Sequence, residues 1–353
     1  QHSVQKLLSF GIQPDILVCR TEFPLDEGIR EKLALFCNVR MDSVIQNVDC
    51  DSVYELPLIF EKEGFAKVVC ERLGLDHPEP FLDDWKALVE KTKKPRERLD
   101  IALVGKYIEL ADAYYSVLEA LDHAGIALGV EPVIDWVDAE ALEALSDEQV
   151  NERLSGVDAI IVPGGFGARG MEGMIKASKS ARALKTPFFG IGLGMQMAVV
   201  DIARHEAGIQ DAHTDEIEAP CQDIFYLHGL TEQMKAQLDC LPFGDLPMRS
   251  GAHPMKLEAG SLLEKIYGSE EASERHHHRR EFNPAYSGAL AATGLRYSGM
   301  SPDGKLVEAI EWPHHPFFVG TIYHPQFKSR PTRPHPLFIA FLEKAIAHKK
   351  GEK

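Results

Sequence analysis

The chain has 353 residues, with 38 Lys and Arg against 54 Asp and Glu, a formal net charge of −16. That balance argues against a duplex-binding surface, which needs clustered cations to release counterions from phosphates; a small anion held at one local basic site is compatible with it. The composition, 44% hydrophobic and 26% charged, is that of a globular protein of about two domains, and no apolar run reaches the roughly 18 residues of a membrane span. The opening QHSVQKLLSF does not read as a signal peptide. Six scattered cysteines, Cys19, Cys37, Cys50, Cys70, Cys221 and Cys240, form no C-x-x-C pair and read as reduced thiols of a cytoplasmic protein.

In chain order, DILVCR (15–20) is a short β-branched strand, and GIREKLALF (28–36) has helical spacing that puts Ile29, Leu33 and Phe36 on one face. Ser52 and Glu55 before LPLIF form a candidate capping box. The helix over QHSVQKLL, with no strand ahead of it, is expected to follow residues upstream of Gln1, so 1–85 reads as the tail of a larger domain. KALVEKTKKPRER (86–98) is charged and carries a proline, and 86–99 reads as a linker. From 100 to 350, strands and helices alternate. IALVGKY is a strand, 114–125 a helix closed by Gly125, EPVIDWV a strand, and VDAIIVPGG a strand ending in a glycine turn. MIKASKSARAL is then a helix, TPFFGIGL a strand and GMQMAVVDIARHEAG a helix. This alternation predicts right-handed βαβ units and a mostly parallel sheet covered by helices, with ligands at the carboxyl ends of its strands. KLVEAIEW and FFVGTIYHP are expected to be two strands running back toward that end.

Four stretches could carry chemistry. FFGIGLGMQ (188–196) runs an apolar strand through a tight turn into a helix, the geometry of a nucleophile elbow. Gly192 stands at the elbow, and the N–H groups after it can donate to an oxyanion. Glycine accepts the strained dihedrals but has no side chain to attack with. A plain glycine-rich turn is the alternative; a G-x-G dinucleotide loop fits less well, since neither the third glycine nor the acidic residue follows. VPGGFGARG (162–170) could bring N–H groups close to a ligand, or be a tight turn only. YHPQF (323–327) puts His324 at a strand end as a candidate general base, with a structural histidine as the alternative. The position two residues on, which would orient the ring with a carboxylate, is Gln326. ERHHHRRE (274–281) sets His276 and His278 on one strand face. No ligand elsewhere has matching metal-site spacing, so no metal is expected there, and an arginine cluster pairing with a carboxylate is favoured.

In this order these stretches resemble a class I glutamine amidotransferase domain, with its PGG loop, G-x-C-x-G elbow and distal H-P-E. PGGFGARG, LGMQ, ERHHHR and HPQF, together with QHSV, GIQPDILVCR, KLALFCNV and DSVYELP, resemble the CTP synthase family over nearly the whole chain, weakening between 217 and 263. The resemblance implies an α/β fold: a flavodoxin-like amidotransferase domain, its mostly parallel sheet flanked by helices, behind the tail of a P-loop-type synthetase domain. It implies amination of UTP to CTP with ATP, Mg²⁺ and ammonia from glutamine, GTP as allosteric activator, and a homo-tetramer. It further implies oxyanion N–H groups at Gly165 and Leu193, and glutamine held by Gly165, Leu193, Gly194, Met195, Gln196, Glu216 and Arg279. Glu216 would face the ammonium and Arg279 the carboxylate. His324 matches the catalytic histidine, Gln1 and Lys32 would contact UTP or CTP, and Val48, Asp49 and Cys50 would line the adenine of ATP.

Against the family pattern, Gly192 replaces the elbow cysteine and Gln326 the triad glutamate. The GGTMRLG lid is reduced to SGAHPMKLE (250–258), and the phosphate-binding loop and Mg²⁺ carboxylates are expected upstream of Gln1. The thiolate of a cysteine amidase is itself a reactant, and losing a triad nucleophile removes a factor of about 10⁶ in rate. No serine or cysteine adjoins Gly192. The expectation is therefore a glutaminase half that still binds glutamine without hydrolysing it. It would belong to a ligase dependent on ammonia at most, or be a non-catalytic regulatory module. No cofactor is expected to be held by this chain alone, and neither nucleic acid nor membrane is an expected partner.

Overall fold

The computed structural model describes residues 1–217, 220–229 and 246–351; Cys240 lies outside them. The chain divides into two compact units, Gln1–Pro95 and Arg96–Lys353.

In the first unit, β1 (Leu17–Thr21) and β2 (Val44–Val48) pair in parallel. Asp26 caps the helix Glu27–Cys37 by accepting from the Ile29 N–H at 2.8 Å. The inner stripe of this helix is Arg30, Leu33, Ala34 and Cys37, at helical spacing. Ile29 and Phe36, expected inside, are 43% and 61% exposed. Glu63 draws Arg30 inward across 2.7 Å and also accepts from Gln46 at 2.8 Å, so an ion pair sets the inward face. Ser52 accepts from the Tyr54 N–H and caps the 3-10 turn Val53–Glu55; the helix Leu56–Lys62 begins only beyond it. The first half of the stretch expected to be a linker belongs to the helix Asp83–Thr92, which buries Leu88 and Val89, and its last residues open the strand Glu97–Gly105.

The second unit contributes, in order, β3 (Glu97–Gly105), β4 (Val130–Asp138), β5 (Ala159–Val162), β6 (Phe188–Ile191), β7 (Ala212–Thr214) and β8 (Gln222–Leu227). They are followed by β9 (Arg249–Leu257), β10 (Glu271–His278), β11 (Arg280–Phe282), β12 (Arg296–Met300), β13 (Val307–Glu311) and β14 (Phe318–Thr321). Nine strands form one sheet, β10-β9-β12-β13-β14-β6-β5-β3-β4, and β11-β8-β7 a smaller one. From β14 to β4 every neighbour is parallel; β10, β9, β12 and β13 are an antiparallel wing. β5, β6 and β14 are buried along their whole length, as expected for parallel strands covered on both faces. Phe188 and Phe189 accordingly point into opposite cores.

Three expectations are corrected. The helix Tyr115–Leu128 runs past Gly125 and ends at Gly129, with φ 76°. A Cβ on Gly125 would come within 2.6 Å of the Pro132 ring, so this glycine marks a helix–strand contact, not a helix end. The 250–258 stretch is no lid: β9 pairs with β10 from Arg249 to Lys256. β13 runs antiparallel to β14, so only β14 runs with β6 toward the ligand end of the sheet. Among the described residues no helix is long and apolar enough to cross a membrane.

Candidate functional site

β6 ends at Ile191 and the chain turns at Gly192, with φ 57° and ψ −112°, into the helix Leu193–His205. A side chain at these dihedrals is strained, as at a nucleophile elbow. The Gly192 N–H donates to the Thr321 carbonyl of β14 at 2.7 Å, and the Gly192 carbonyl accepts from the Gln196 N–H at 3.2 Å. A Cβ at position 192 would lie 3.4 Å from Nε2 of His324. Leu193 opens the helix, so its N–H has no intrahelical acceptor and sits at the positive end of the dipole.

A cavity of about 210 Å³ lies over this turn. Gly165, Gly192, Leu193, Gln196, Glu216, Arg279, His324 and Gln326 all line it. Gly194 and Met195 are buried in the elbow helix instead, and the Met195 side chain packs toward Gly320 of β14. Gln196 is buried, and its Oε1 has no hydrogen-bond partner among the described residues, leaving an acceptor for a bound polar group.

His324 follows β14 and donates its N–H to the Arg275 carbonyl at 2.8 Å. Gln326, in the 3-10 turn Pro325–Lys328, brings its amide Nε2 to 3.1 Å from Nδ1 of His324. The amide nitrogen donates, so Nδ1 accepts and a neutral ring carries its proton on Nε2, facing Gly192. Burial, aided by His278, His277 and His276 and opposed by the His277 carbonyl, lowers the pKa of His324 to about 4, and the ring is neutral at pH 7. A carboxylate at 326 would reverse the arrangement by taking a proton on Nδ1 and baring Nε2 as a base.

Glu216 is already engaged: its Oε1 accepts from the Gly167 N–H at 2.5 Å and its Oε2 lies 3.5 Å from Arg280. Arg280 also pairs with Asp215, while Arg279 is buried and donates to the Leu246 carbonyl. Two histidines of the triplet pair with carboxylates: His276 Nε2 lies 2.7 Å from Glu308 and His278 Nε2 2.8 Å from Glu281. Among the described residues no three of His, Cys, Asp or Glu converge to hold a metal ion.

Lys106 and Tyr107 went unnoticed in the sequence. Lys106, just past β3, is buried and donates through Nζ to the carbonyls of Phe166, at 3.2 Å, and Gly167. Burial lowers its pKa to about 8, with Glu216 acting the other way. Tyr107 accepts from the Phe166 N–H at 3.3 Å. The signal was GKY directly after an apolar strand, at the end where such sheets bind ligands. Arg280, beside Arg279, belongs to the arginine cluster expected to pair with a carboxylate, and it meets Asp215 and Glu216.

In the first unit, Val48 ends β2, and Asp49 and Cys50 follow it. Asp49 pairs with Arg20 at 3.2 Å, and the Cys50 thiol, its pKa raised by burial, donates to the Ser52 carbonyl at 3.2 Å. Lys32 is exposed on the helix Glu27–Cys37, and Gln1 is exposed ahead of the helix His2–Ser9.

The family model described as Glutamine amidotransferase class-I matches residues 109–344, and that described as CTP synthase N-terminus matches 1–75. The chain belongs to the class-I glutamine amidotransferase family. Along its length it is similar to CTP synthases. The CTP synthase of Ruminiclostridium cellulolyticum is 49% identical over 99% of this chain and 64% of that protein. That of Symbiobacterium thermophilum is 48% identical over 100% of this chain and 64% of that protein. The chain thus spans 64% of the length of these relatives. The solved glutaminase domain of Trypanosoma brucei CTPS with bound acivicin is 36% identical, with a TM-score of 0.63, over 70% of this chain and 94% of that one. The family read from the motifs is the one these comparisons return.

Proposed function

We propose that this chain is part of a CTP synthase-type ligase whose glutaminase half binds a glutamine-like amino acid without hydrolysing it, so that amination of UTP to CTP draws on free ammonia. One observation carries the reading: the position whose Cβ would stand 3.4 Å from Nε2 of His324 is a glycine. Amide hydrolysis in this family type needs a thiolate to form a thioester and a histidine to take the thiol proton and return it to ammonia. Among the described residues no thiol lines the cavity, and the ring offers a proton where a base is needed.

Binding is better provided for than chemistry. Gly165 and Leu193 can supply N–H donors to a side-chain carbonyl, Gln196 Oε1 an acceptor, and the Glu216, Arg279 and Arg280 group opposite charges for an amino acid's two ionic ends. The T. brucei domain carries acivicin, which supports a small amino-acid-like occupant here. In the first unit, Val48, Asp49 and Cys50 would face ATP, and Gln1 and Lys32 UTP or CTP. The described residues offer no ligand set for Mg²⁺, and no step is assigned to it. GTP activation, a tetramer and a cytoplasmic location belong to the same proposal.

The test uses the full-length protein with UTP and ATP. CTP formed with ammonium and none with glutamine supports the reading; CTP formed with glutamine as sole nitrogen source overturns it. CTP from neither favours a second reading, a non-catalytic glutamine-binding regulatory module, which the retained cavity also supports.

A further inference from the structure

We propose that a phosphate-type oxyanion binds in the open cleft between β10 and the turn Pro325–Lys328, held by Arg275, Lys328 and Arg330. The inference is independent of what the amino-acid cavity binds.

The cleft is lined by Ala252, Ser273, Arg275, Phe327, Lys328 and Arg330, so cations and no carboxylate line it, in a chain whose formal net charge is −16. Elsewhere in the second unit arginines are met by carboxylates, as Arg153 is by Asp135, Arg182 by Asp201, and Arg296 by Glu258 and Glu311. Arg275 and Arg330 are exceptions, and they face the same cleft: neither forms an ion pair among the described residues. Arg333 is a further exception, and its backbone exchanges hydrogen bonds of 3.0 and 3.1 Å with that of Arg330. A surplus of acids leaves few cations without a partner by default, so unpaired arginines gathered in one place point to an anion from outside the chain.

The donors suit an oxyanion. The exposed Arg275 guanidinium has no hydrogen-bond partner among the described residues. Arg330 commits only Nη1, to the carbonyls of Phe327 at 3.2 Å and Ser329 at 2.9 Å, which leaves Nε and Nη2 as donors. Lys328 Nζ donates to the Ser273 carbonyl at 2.5 Å and lies 3.5 Å from the buried Glu274, tying the turn to β10. Guanidinium forks match phosphate oxygens, and a cleft lined by one sign of charge concentrates the opposite ion. Glu274 offsets one of the cations, and the positive charge that remains suits a dianion better than a monoanion. The site adjoins the amino-acid cavity, with Phe327 lining both. The Arg275 carbonyl holds the His324 N–H at 2.8 Å, so that amide is a reporter for the cleft.

Calorimetric titration of the purified protein with inorganic phosphate at pH 7 and low ionic strength tests this. A saturable site is expected, weakening as salt is added. Arg275→Gln and Arg330→Gln should each weaken it about tenfold, as for the loss of one charge-assisted hydrogen bond. Arg275 has no side-chain partner to lose, so its variant keeps the fold. Arg153→Gln, which removes a cation paired with Asp135 away from the cleft, should leave the affinity unchanged. Acetate should bind at least about tenfold more weakly than phosphate. The His324 amide signal should move as phosphate saturates the parent protein. No saturable binding, an affinity unchanged in either cleft variant, an equal loss in Arg153→Gln, acetate binding as tightly as phosphate, or an unmoved His324 amide would each overturn the proposal.

Discussion

Arg249 clamps the Glu308 carboxylate with contacts of 2.6 and 3.1 Å, and Glu308 is fully buried. The same guanidinium lies 3.4 Å from Glu281, and His276 adds a contact of 2.7 Å to Glu308. Burial pushes the Glu308 pKa up, but His276 and Arg249 outweigh it and hold it below its usual value. Removing one partner of a buried pair costs far more than the pair's net worth, about 3–5 kcal/mol. Arg249→Ala should lose that much in urea unfolding. A loss below about 1 kcal/mol would mean that water reaches the site, as at an exposed pair.

On the proposed reading, glutamine hydrolysis needs two changes at once. Gly192→Cys alone supplies a thiol beside a ring that offers it a proton, and Gln326→Glu alone bares a base with nothing to deprotonate. Only the double variant should release ammonia from glutamine at a measurable rate, recovering part of the factor of about 10⁶ that a nucleophile contributes. Labelling by an electrophilic glutamine analogue should likewise appear at Cys only in the variants that contain it. A silent double variant that still binds ligand would place further damage elsewhere in the cavity.

Gly125 should tolerate no side chain. Its Cβ position lies 2.6 Å from the Pro132 ring and 2.7 Å from the Val130 carbonyl, so Gly125→Ala should overpack the helix–strand contact and cost about 1–3 kcal/mol. Thermal or urea unfolding reads this directly, and a neutral result would show that the helix can shift off the strand.

Glu172 supplies a pH signature. It lies 3.2 Å from His213 Nε2 and takes two contacts from Arg204, at 2.8 and 3.0 Å. The His213 hydrogen bond, with Arg204 and against burial, lowers its pKa from 4.5 to about 2. A depressed carboxylate stabilises the fold above its unfolded pKa and loses that contribution as pH falls through the folded one. Stability of the parent chain should therefore fall faster than that of Glu172→Gln between pH 4.5 and about 2. The side chain is partly open to solvent, so added salt should flatten the difference.

The elbow, the PGG loop and His324 were legible because each is a local event, an apolar strand breaking into glycine or proline at one end of the sheet. What sequence spacing missed depended on distant partners. The helix Glu27–Cys37 turned its Arg30 side inward for Glu63, 33 positions away, and no periodicity within the helix records that. Gly125 looked like a stop because its reason for being glycine, Pro132, lies on the next strand. Lys106 reaches loop carbonyls 60 and 61 positions on. The stretch read as a lid is a strand because β10 pairs with it, although Pro254 interrupts its pattern.

β6 and β14 are zipped in register from Phe188↔Phe318 to Ile191↔Thr321, and residues 192 and 324 hang from the ends of that zipper. Main-chain rungs, not side chains, hold them at arm's length. The residues at these two positions can therefore be exchanged without disturbing how the polypeptide folds.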